Sequence, residues 1–136
     1  MIRRYAKYLP VDDSTPVVSL LEGNTPLIRA DRLAREIGGD IELPLKSAGL
    51  NPTASFKDRG MTVAVSKAME LGATGFTMPS AGNAAGASAA YCARGGLESK
   101  VFMPKDAPDT NKKESLLAGS ELNLVDGLIS DAGRRA

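Results

Sequence analysis

The segment GLNPTASFKDRGM, residues 49–61, places two cations where helices usually avoid them. Lys57 and Arg59 fall in the first turn of a predicted helix, and the helix macrodipole disfavours positive charge there. A neutral amine at Lys57 is therefore easier to form, and a neutral amine can attack an aldehyde or transfer a proton. The residues alone leave a second interpretation open, in which Lys57 is a solvated lysine paired with Asp58 or Glu36.

A second candidate segment, PSAGNAAGA, lies between a predicted strand and a predicted helix at residues 79–87. In an open parallel sheet, ligands bind beyond the carboxyl ends of the strands. Free N–H groups at the start of the next helix suit an anion such as a carboxylate. Ser80 and Asn83 add side-chain donors. The segment matches neither the dinucleotide-binding pattern nor the P-loop, and an ordinary strand-to-helix turn is the alternative interpretation.

Other conspicuous residues have simple structural interpretations. The segment EGNTPL, residues 22–27, is typical of a turn that leads into a short strand. Cys92 is expected to be a small core residue on an alanine-rich helix. The pair Arg134 and Arg135 is expected to be solvated.

The composition excludes several classes of function. The chain has 136 residues, 17 Lys and Arg against 16 Asp and Glu, one Cys and no His. Without histidine, Ser-His-Asp and Cys-His nucleophile systems and histidine zinc sites are impossible within this chain, and we expect no metal site. The nearly balanced, scattered charge argues against nucleic acid as a partner. No apolar run is long enough for a membrane span and no signal peptide is visible, so a cytoplasmic protein is expected.

The pattern of apolar residues predicts strands that alternate with helices after about residue 30. We expect a short helix over Asp31–Ile37 and an edge strand over Ile41–Lys46, with Pro44 inside it. A longer helix should begin at Ser55, where Ser55 and Asp58 resemble a capping box. Further strands are predicted at 74–79, 99–103 and 121–125, and further helices at 84–94, at 108–118 opened by Asp106, and from 127 onward.

Strands that alternate with helices in this way are typical of βαβ units, and they predict an α/β fold with a three-layer parallel sheet. The first 30 residues contain Pro10, Pro16 and Pro26, which predict an extended arm with short strands. Apolar arm residues such as Val18 and Leu20 need a surface to cover. The last ten residues look like the start of another helix, so we expect the chain to be cut rather than finished.

Taken in order, the segments EGNTPL, NPTASFKDRGM and SAGN, at residues 22–27, 51–61 and 80–83, resemble the β-family of pyridoxal-phosphate enzymes, also called fold type II. The run from Leu50 to Met61 is most similar to that of the threonine synthases, a branch of this family. The resemblance covers essentially all 136 residues. It implies a tryptophan synthase β-like fold, present here in incomplete form. It also implies an arm over 1–40 that packs on an absent large domain, and a small domain over 41–136 that carries the cofactor lysine.

The resemblance also implies roles for individual residues. Lys57 corresponds to the catalytic lysine that binds pyridoxal 5'-phosphate covalently and then shuttles protons. Phe56 corresponds to the side chain beside the cofactor ring, and Asn83 to the donor toward the ring's 3-hydroxyl oxygen. Ser80, Ala81 and Gly82 correspond to the loop that binds the substrate carboxylate. In threonine synthases the substrate is O-phospho-L-homoserine, and the cofactor acts as an electron sink while phosphate leaves and water adds.

The chain departs from the family pattern at several positions. Ala54 stands where glycine is usual, and Ala84 stands where many threonine synthases have threonine. Ser47 and Ala48 stand where an acidic residue commonly precedes Gly49. Family members are more than twice as long, and the remainder normally holds the glycine-rich loop for the cofactor phosphate. We therefore expect an N-terminal fragment that is inactive by itself and belongs to a homodimer when complete.

Two other functions stay open from the sequence. The chain could belong to another fold type II enzyme, such as a threonine dehydratase or a cysteate synthase, although the Asp58–Met61 ending argues against a dehydratase. It could also be a non-catalytic α/β module that binds a small anion or a partner protein. An amine at Lys57 that no aldehyde modifies would favour this second alternative.

Overall fold

A computed structural model describes residues 1–136 and contains an arm, a two-stranded ribbon and an α/β unit. The α-helices are α1 (Ile2–Tyr5), α2 (Asp31–Glu36), α3 (Asp58–Glu70), α4 (Asn83–Gly95), α5 (Asp109–Leu117) and α6 (Ile129–Arg135). The strands are β1 (Leu27–Arg29), β2 (Pro44–Lys46), β3 (Gly75–Pro79), β4 (Glu98–Pro104) and β5 (Glu121–Val125). Two short 3-10 turns cover Ala6–Tyr8 and Ala48–Leu50.

The α/β unit is built on a parallel sheet with strand order β3-β4-β5. Thr77 is paired with Lys100, and Phe102 is paired with Asn123. Helices α4 and α5 connect consecutive strands and pack together, while α3 packs on α4 and α6 packs on β3 and β4. The predicted α/β architecture and parallel sheet are confirmed, and strand β5 has the predicted bounds.

Two apolar clusters hold these layers together. One lies where the arm meets α3 and α4, and consists of Val18, Val65, Tyr91 and Cys92. The other lies between α4 and the sheet, and consists of Ala85, Val101, Met103 and Ala107. Small residues on α4 let the helix approach the sheet closely, so Ala85, Ala87 and Ala89 have no exposed surface. The expected core position of Cys92 is confirmed, and burial raises the pKa of its thiol to about 11.

The arm differs from the prediction at its start and agrees with it further along. Residues Ile2–Tyr8 are helical rather than extended, and Ile2 is buried. The following residues run extended over α3, where the Thr62 hydroxyl donates to the Val18 carbonyl oxygen at 2.6 Å. The Val18 N–H donates to Ser66 Oγ at 3.0 Å. These bonds between arm and helix attach the extended segment to the α/β unit.

The ribbon of β1 and β2 is antiparallel and largely exposed. Leu27 pairs with Lys46 and Arg29 pairs with Pro44, so Pro44 occupies the first position of an edge strand, as its missing N–H requires. The predicted strand from Ile41 is therefore shorter than expected. Leu27 is 65% exposed and Ile28 is 51% exposed, so the ribbon offers apolar side chains to its surroundings.

The predicted helix caps are wrong at two positions. Helix α3 begins at Asp58 rather than Ser55, because the Ser55 hydroxyl accepts the N–H of Lys57 and the Asp58 carboxylate turns back to Thr53. The predicted capping box is thus absent. Helix α5 begins at Asp109 after Pro108, and Asp106 does not cap it. None of the helices combines the length and apolar character needed to cross a membrane.

Candidate functional site

The turn that carries Lys57 joins a short 3-10 segment to α3. Lys57 is the N-cap residue of α3, is partly buried, and forms no ion pair with Asp58 or Glu36. Its Nζ lies 4.6 Å from the centre of the Phe56 ring. The interpretation of Lys57 as a lysine paired with either carboxylate is wrong. Its amine is uncommitted to any carboxylate, and a ring 57% exposed lies beside it.

Ala54 has a backbone conformation that side chains rarely adopt. Its φ is +55°, in the left-handed region, where a non-glycine residue costs about 1–2 kcal/mol. Its N–H donates to the Asn51 carbonyl oxygen at 2.8 Å. This geometry explains why glycine suits the position, and the turn keeps its shape here despite an alanine.

The loop after β3 is arranged around Ser80. The Ser80 N–H donates to the Phe102 carbonyl oxygen at 3.0 Å, which extends the parallel ladder by one residue. The Gly82 N–H donates to Ser80 Oγ at 3.2 Å. From α5, the Asn111 amide donates to the Ala81 carbonyl oxygen at 2.8 Å. The loop is therefore held from the sheet, from within and from the next helix.

The start of α4 leaves donors free. Helix α4 has no side-chain cap, and the N–H groups of Ala81, Asn83 and Ala84 have no acceptor within the chain. Asn83 is exposed, and its amide makes no hydrogen bond. Free N–H groups at a helix N-terminus bind anions well, since the helix dipole adds to their hydrogen bonds. Carboxylate binding at Ser80–Gly82 stays a prediction, and within this segment the Gly82 N–H is already used by Ser80 Oγ.

One cavity connects the two turns. It has a volume of about 470 Å³, and Thr53, Ala54 and Asn83 line it. The rest of its wall comes from α5, with Thr110, Asn111, Lys113, Glu114 and Leu117. Neither Lys57 nor Phe56 belongs to this wall, although both belong to the turn that forms one side of it. The structure thus brings Asn83 beside the lysine-bearing turn.

Glu114 is a carboxyl group in this wall that sequence reasoning missed. It lies against Gly86 of α4 so closely that a Cβ at Gly86 would collide with it. Burial raises its pKa, and the negative charge of Asp58 raises it further. Asn111 was missed as well, because it holds the Ala81 carbonyl thirty positions away. Asp58 was noticed but interpreted as half of a capping box, whereas it binds Thr53.

The segment Glu22–Leu27 supports the lysine-bearing segment from the arm side. Asn51 accepts the Gly23 N–H at 2.9 Å, and Arg59 donates to the Thr25 hydroxyl at 3.0 Å. Glu22 accepts the Tyr91 hydroxyl at 2.9 Å. Burial opposes the ionisation of Glu22, but hydrogen bonds from backbone and side-chain donors outweigh it and lower its pKa. The predicted turn into a strand is confirmed. Its hydrogen bonds to Arg59 of α3 and Tyr91 of α4 connect the two helices.

Comparison with curated proteins finds threonine synthases that match nearly the whole chain. Threonine synthase from Synechocystis sp. is 50% identical over 133 residues, which cover 97% of this chain and 35% of the relative. Threonine synthase from Methanocaldococcus jannaschii is 44% identical over 130 residues, which cover 95% of this chain and 32% of the relative. The chain therefore spans about a third of the length of these relatives.

Comparison with solved structures shows the fold. A pyridoxal 5'-phosphate-dependent aspartate racemase superposes with a TM-score of 0.80 at 23% identity, over 98% of this chain and 38% of that chain. Maize serine racemase superposes with a TM-score of 0.76 at 20% identity, over 98% of this chain and 36% of that chain. The expected fold type II architecture is confirmed.

A family model described as pyridoxal-phosphate dependent enzyme matches residues 18–136, which include the arm's core contacts, the lysine-bearing turn and the loop after β3. The sequence motifs, the fold and this match agree. The chain belongs to the family of pyridoxal-phosphate dependent enzymes.

Proposed function

We propose that the complete protein is a threonine synthase, which converts O-phospho-L-homoserine and water to L-threonine and phosphate. The observation that carries this proposal is the 50% identity to a threonine synthase over 97% of this chain. Because the chain spans only 35% of that relative, the reaction and substrate are inferred for the whole protein. The protein would be a lyase of amino-acid biosynthesis that acts on a phosphate ester.

Lys57 is proposed as the catalytic residue. Its position at the N-cap of α3 and its freedom from carboxylate partners fit an amine that binds the cofactor aldehyde. Pyridoxal phosphate, when bound, supplies an electron sink for the bonds around the substrate Cα. The side chain of Lys57 would accept and return protons at the substrate, since it belongs to the turn whose residues Thr53 and Ala54 line the cavity.

Phe56 and Asn83 are proposed as noncovalent cofactor ligands. The Phe56 ring is 57% exposed, so it offers an aromatic surface on which a second flat group can pack. The exposed Asn83 amide lines the cavity and has both a donor and an acceptor unused. Both features fit an aromatic cofactor with a phenolic oxygen.

Ser80, Ala81 and Gly82 are proposed to bind the substrate carboxylate. The free N–H groups at Ala81 and at the start of α4 supply donors. The Ser80 hydroxyl, which donates within the chain only to the Gly82 carbonyl oxygen at a long 3.5 Å, adds another. The Asn111 bond holds the loop through the Ala81 carbonyl oxygen and so leaves these N–H groups unpaired. The loop would orient the substrate while Lys57 moves protons.

We propose a domain arrangement in which residues 1–40 form an arm that packs on a large domain and residues 41–136 form the lysine-bearing domain. The exposed apolar side chains of the ribbon, among them Leu27 and Ile28, support a covering surface of this kind. We further propose a homodimeric, cytoplasmic enzyme, and little activity in the 136-residue chain alone.

The test is turnover by the complete protein. With added pyridoxal phosphate and O-phospho-L-homoserine, we expect phosphate and L-threonine in equal amounts. Lys57→Ala should abolish both products, whereas Lys7→Ala, which removes an exposed lysine beside an aromatic ring, should leave them unchanged. Formation of 2-oxobutanoate from L-threonine with no phosphate release would contradict the proposal and indicate a dehydratase.

A further inference from the structure

The lysine-bearing turn is closed by a buried carboxylate that the proposed chemistry does not use. Asp58 has no exposed surface. Its Oδ2 accepts the Thr53 N–H at 3.0 Å, and its Oδ1 accepts the Thr53 hydroxyl at 2.8 Å. Both oxygens of the first residue of α3 thus bind one residue at the other end of the turn.

The cations that flank Asp58 in sequence bind elsewhere. The Lys57 ammonium lies over Phe56, and the Arg59 guanidinium donates to Thr25. No lysine or arginine lies within ion-pair distance of Asp58. A buried carboxylate without a counterion depends on its hydrogen bonds, so the two bonds to Thr53 are essential to its stability. The carboxylate therefore stabilises the conformation of the turn and forms no ion pair with the Lys57 amine.

The turn also needs these two hydrogen bonds because its backbone is strained. Ala54 follows Thr53 directly and has a φ of +55°. An alanine in the left-handed region keeps this conformation only when the surrounding structure holds it. The hydrogen bond from the Ala54 N–H to Asn51 ties Ala54 only to residues that precede it. The hydrogen bonds between Thr53 and Asp58 join the two ends of the turn. The strained Ala54 and the cofactor lysine proposed at Lys57 both lie between these ends.

We propose that Asp58 is a positioning residue for Lys57: through its two hydrogen bonds to Thr53 it fixes the turn and so aims the Lys57 amine at the cofactor aldehyde. This inference rests on the proposed function. Condensation joins Lys57 Nζ to the aldehyde carbon and releases the aldehyde oxygen as water, and its rate depends on how closely the amine is held in line. Asp58 touches neither reacting atom.

The test measures that rate directly. The complete protein, without bound cofactor, is mixed with pyridoxal phosphate, quenched with borohydride at successive times and digested, and labelled peptides are quantified by mass. We expect Asp58→Asn to slow labelling of Lys57 by about tenfold, since a neutral amide cannot form the two charge-assisted bonds that the carboxylate accepts from Thr53. Labelling of Lys7, whose Nζ lies 4.6 Å from the Tyr8 ring, should stay unchanged. Asp109→Asn is the matched control, because Asp109 is the first residue of α5 and is exposed.

Thr53 variants separate positioning from folding. Thr53→Val removes one of the two bonds with little change in volume and should slow Lys57 labelling by about threefold. Thr53→Ser keeps the hydroxyl and should label at the rate of the unaltered protein. Amide exchange over 53–57 should speed up in Asp58→Asn and in Thr53→Val but not in Thr53→Ser.

The outcomes distinguish the inference from the function on which it rests. Selective labelling of Lys57 in the unaltered protein, with equal rates in folded Asp58→Asn and Thr53→Val, would overturn the positioning role alone. Labelling spread evenly over the lysines of the unaltered protein would overturn the proposed function, and the positioning role with it. A slower rate in both variants with recovery in Thr53→Ser supports the role.

Discussion

The turn Thr53–Lys57 and the loop Ser80–Asn83 both precede long helices, yet they are held by different kinds of group. The first is held by the buried Asp58 carboxylate, which accepts hydrogen bonds from the N–H and the hydroxyl of Thr53. The second is held by an amide, Asn111, which donates to a backbone carbonyl. A side chain that accepts hydrogen bonds uses backbone N–H groups of the segment that it holds. A side chain that donates to a carbonyl oxygen leaves those N–H groups free.

This difference matches the two tasks proposed for these segments. A residue that forms a covalent bond must have its side chain aimed, so the turn around Lys57 is closed upon itself. A segment that binds an anion must keep its N–H groups unpaired, so the loop is held through the Ala81 carbonyl and the N–H groups of Ala81, Asn83 and Ala84 stay available. The two anchors belong to different helices, so each can be removed separately.

The largest effect on stability is expected when the Asn111 donor that holds the Ala81 carbonyl is replaced by an acceptor. Asn111→Asp would place a carboxylate against the Ala81 carbonyl oxygen, and leaving that acceptor unpaired costs about 1–3 kcal/mol of the free energy of unfolding. Urea unfolding of the complete protein would measure this loss. Thr110→Asp adds the same charge at the neighbouring exposed position and should cost much less. Equal losses in the two variants would show that the charge, not the bond, is responsible.

Removal of a free ligand should affect binding without affecting stability. Asn83→Ala deletes an exposed amide with no hydrogen bond in the fold, so unfolding should change by under about 0.5 kcal/mol. Affinity for pyridoxal phosphate should fall by about tenfold, as for one lost hydrogen bond to a charged ring oxygen. Fluorescence titration measures the affinity, and Asn123→Ala on β5 is the control. Unchanged affinity would remove Asn83 from the site.

Relief of strain should stabilise the first turn. Ala54→Gly places glycine at φ +55°, and we expect the free energy of unfolding to rise by about 1 kcal/mol. Ala90→Gly, in the middle of α4, should lower it by about 1 kcal/mol. Thermal unfolding of both variants tests whether the two substitutions change the free energy of unfolding in opposite directions. A loss of stability in Ala54→Gly would mean that the turn holds alanine without strain.

The smallest effect should be a pH-dependent gain at the cavity wall. The pKa of Glu114 is raised by burial and by Asp58, so folding disfavours its ionised form. Its contribution to stability is full below its ordinary pKa of 4.5 and declines as the pH rises through the raised value. Glu114→Gln should therefore raise the melting temperature at neutral pH and have no effect at acid pH. A shift in melting temperature that does not depend on pH would contradict a raised pKa of Glu114.

The sequence predicts the sheet well because local periodicity determines it. Strand β5 has the predicted bounds at both ends, whereas α3 begins at Asp58, three residues later than predicted, so that Lys57 is its N-cap residue. The anchors escaped prediction, because Asp58 turns back to Thr53 instead of forming a capping box and Asn111 reaches Ala81 thirty positions away. The helical start of the arm was missed because its burial at Ile2 depends on tertiary contacts rather than on a local pattern.

Lys57 is proposed as the cofactor lysine, and mapping the covalent attachment of pyridoxal phosphate tests this role most directly. The complete protein is loaded with cofactor, reduced with borohydride and digested, and modified peptides are identified by mass. We expect one modified lysine in the peptide that contains Ser55, Phe56 and Lys57. Modification at another lysine, or no preference among the lysines, would contradict the account.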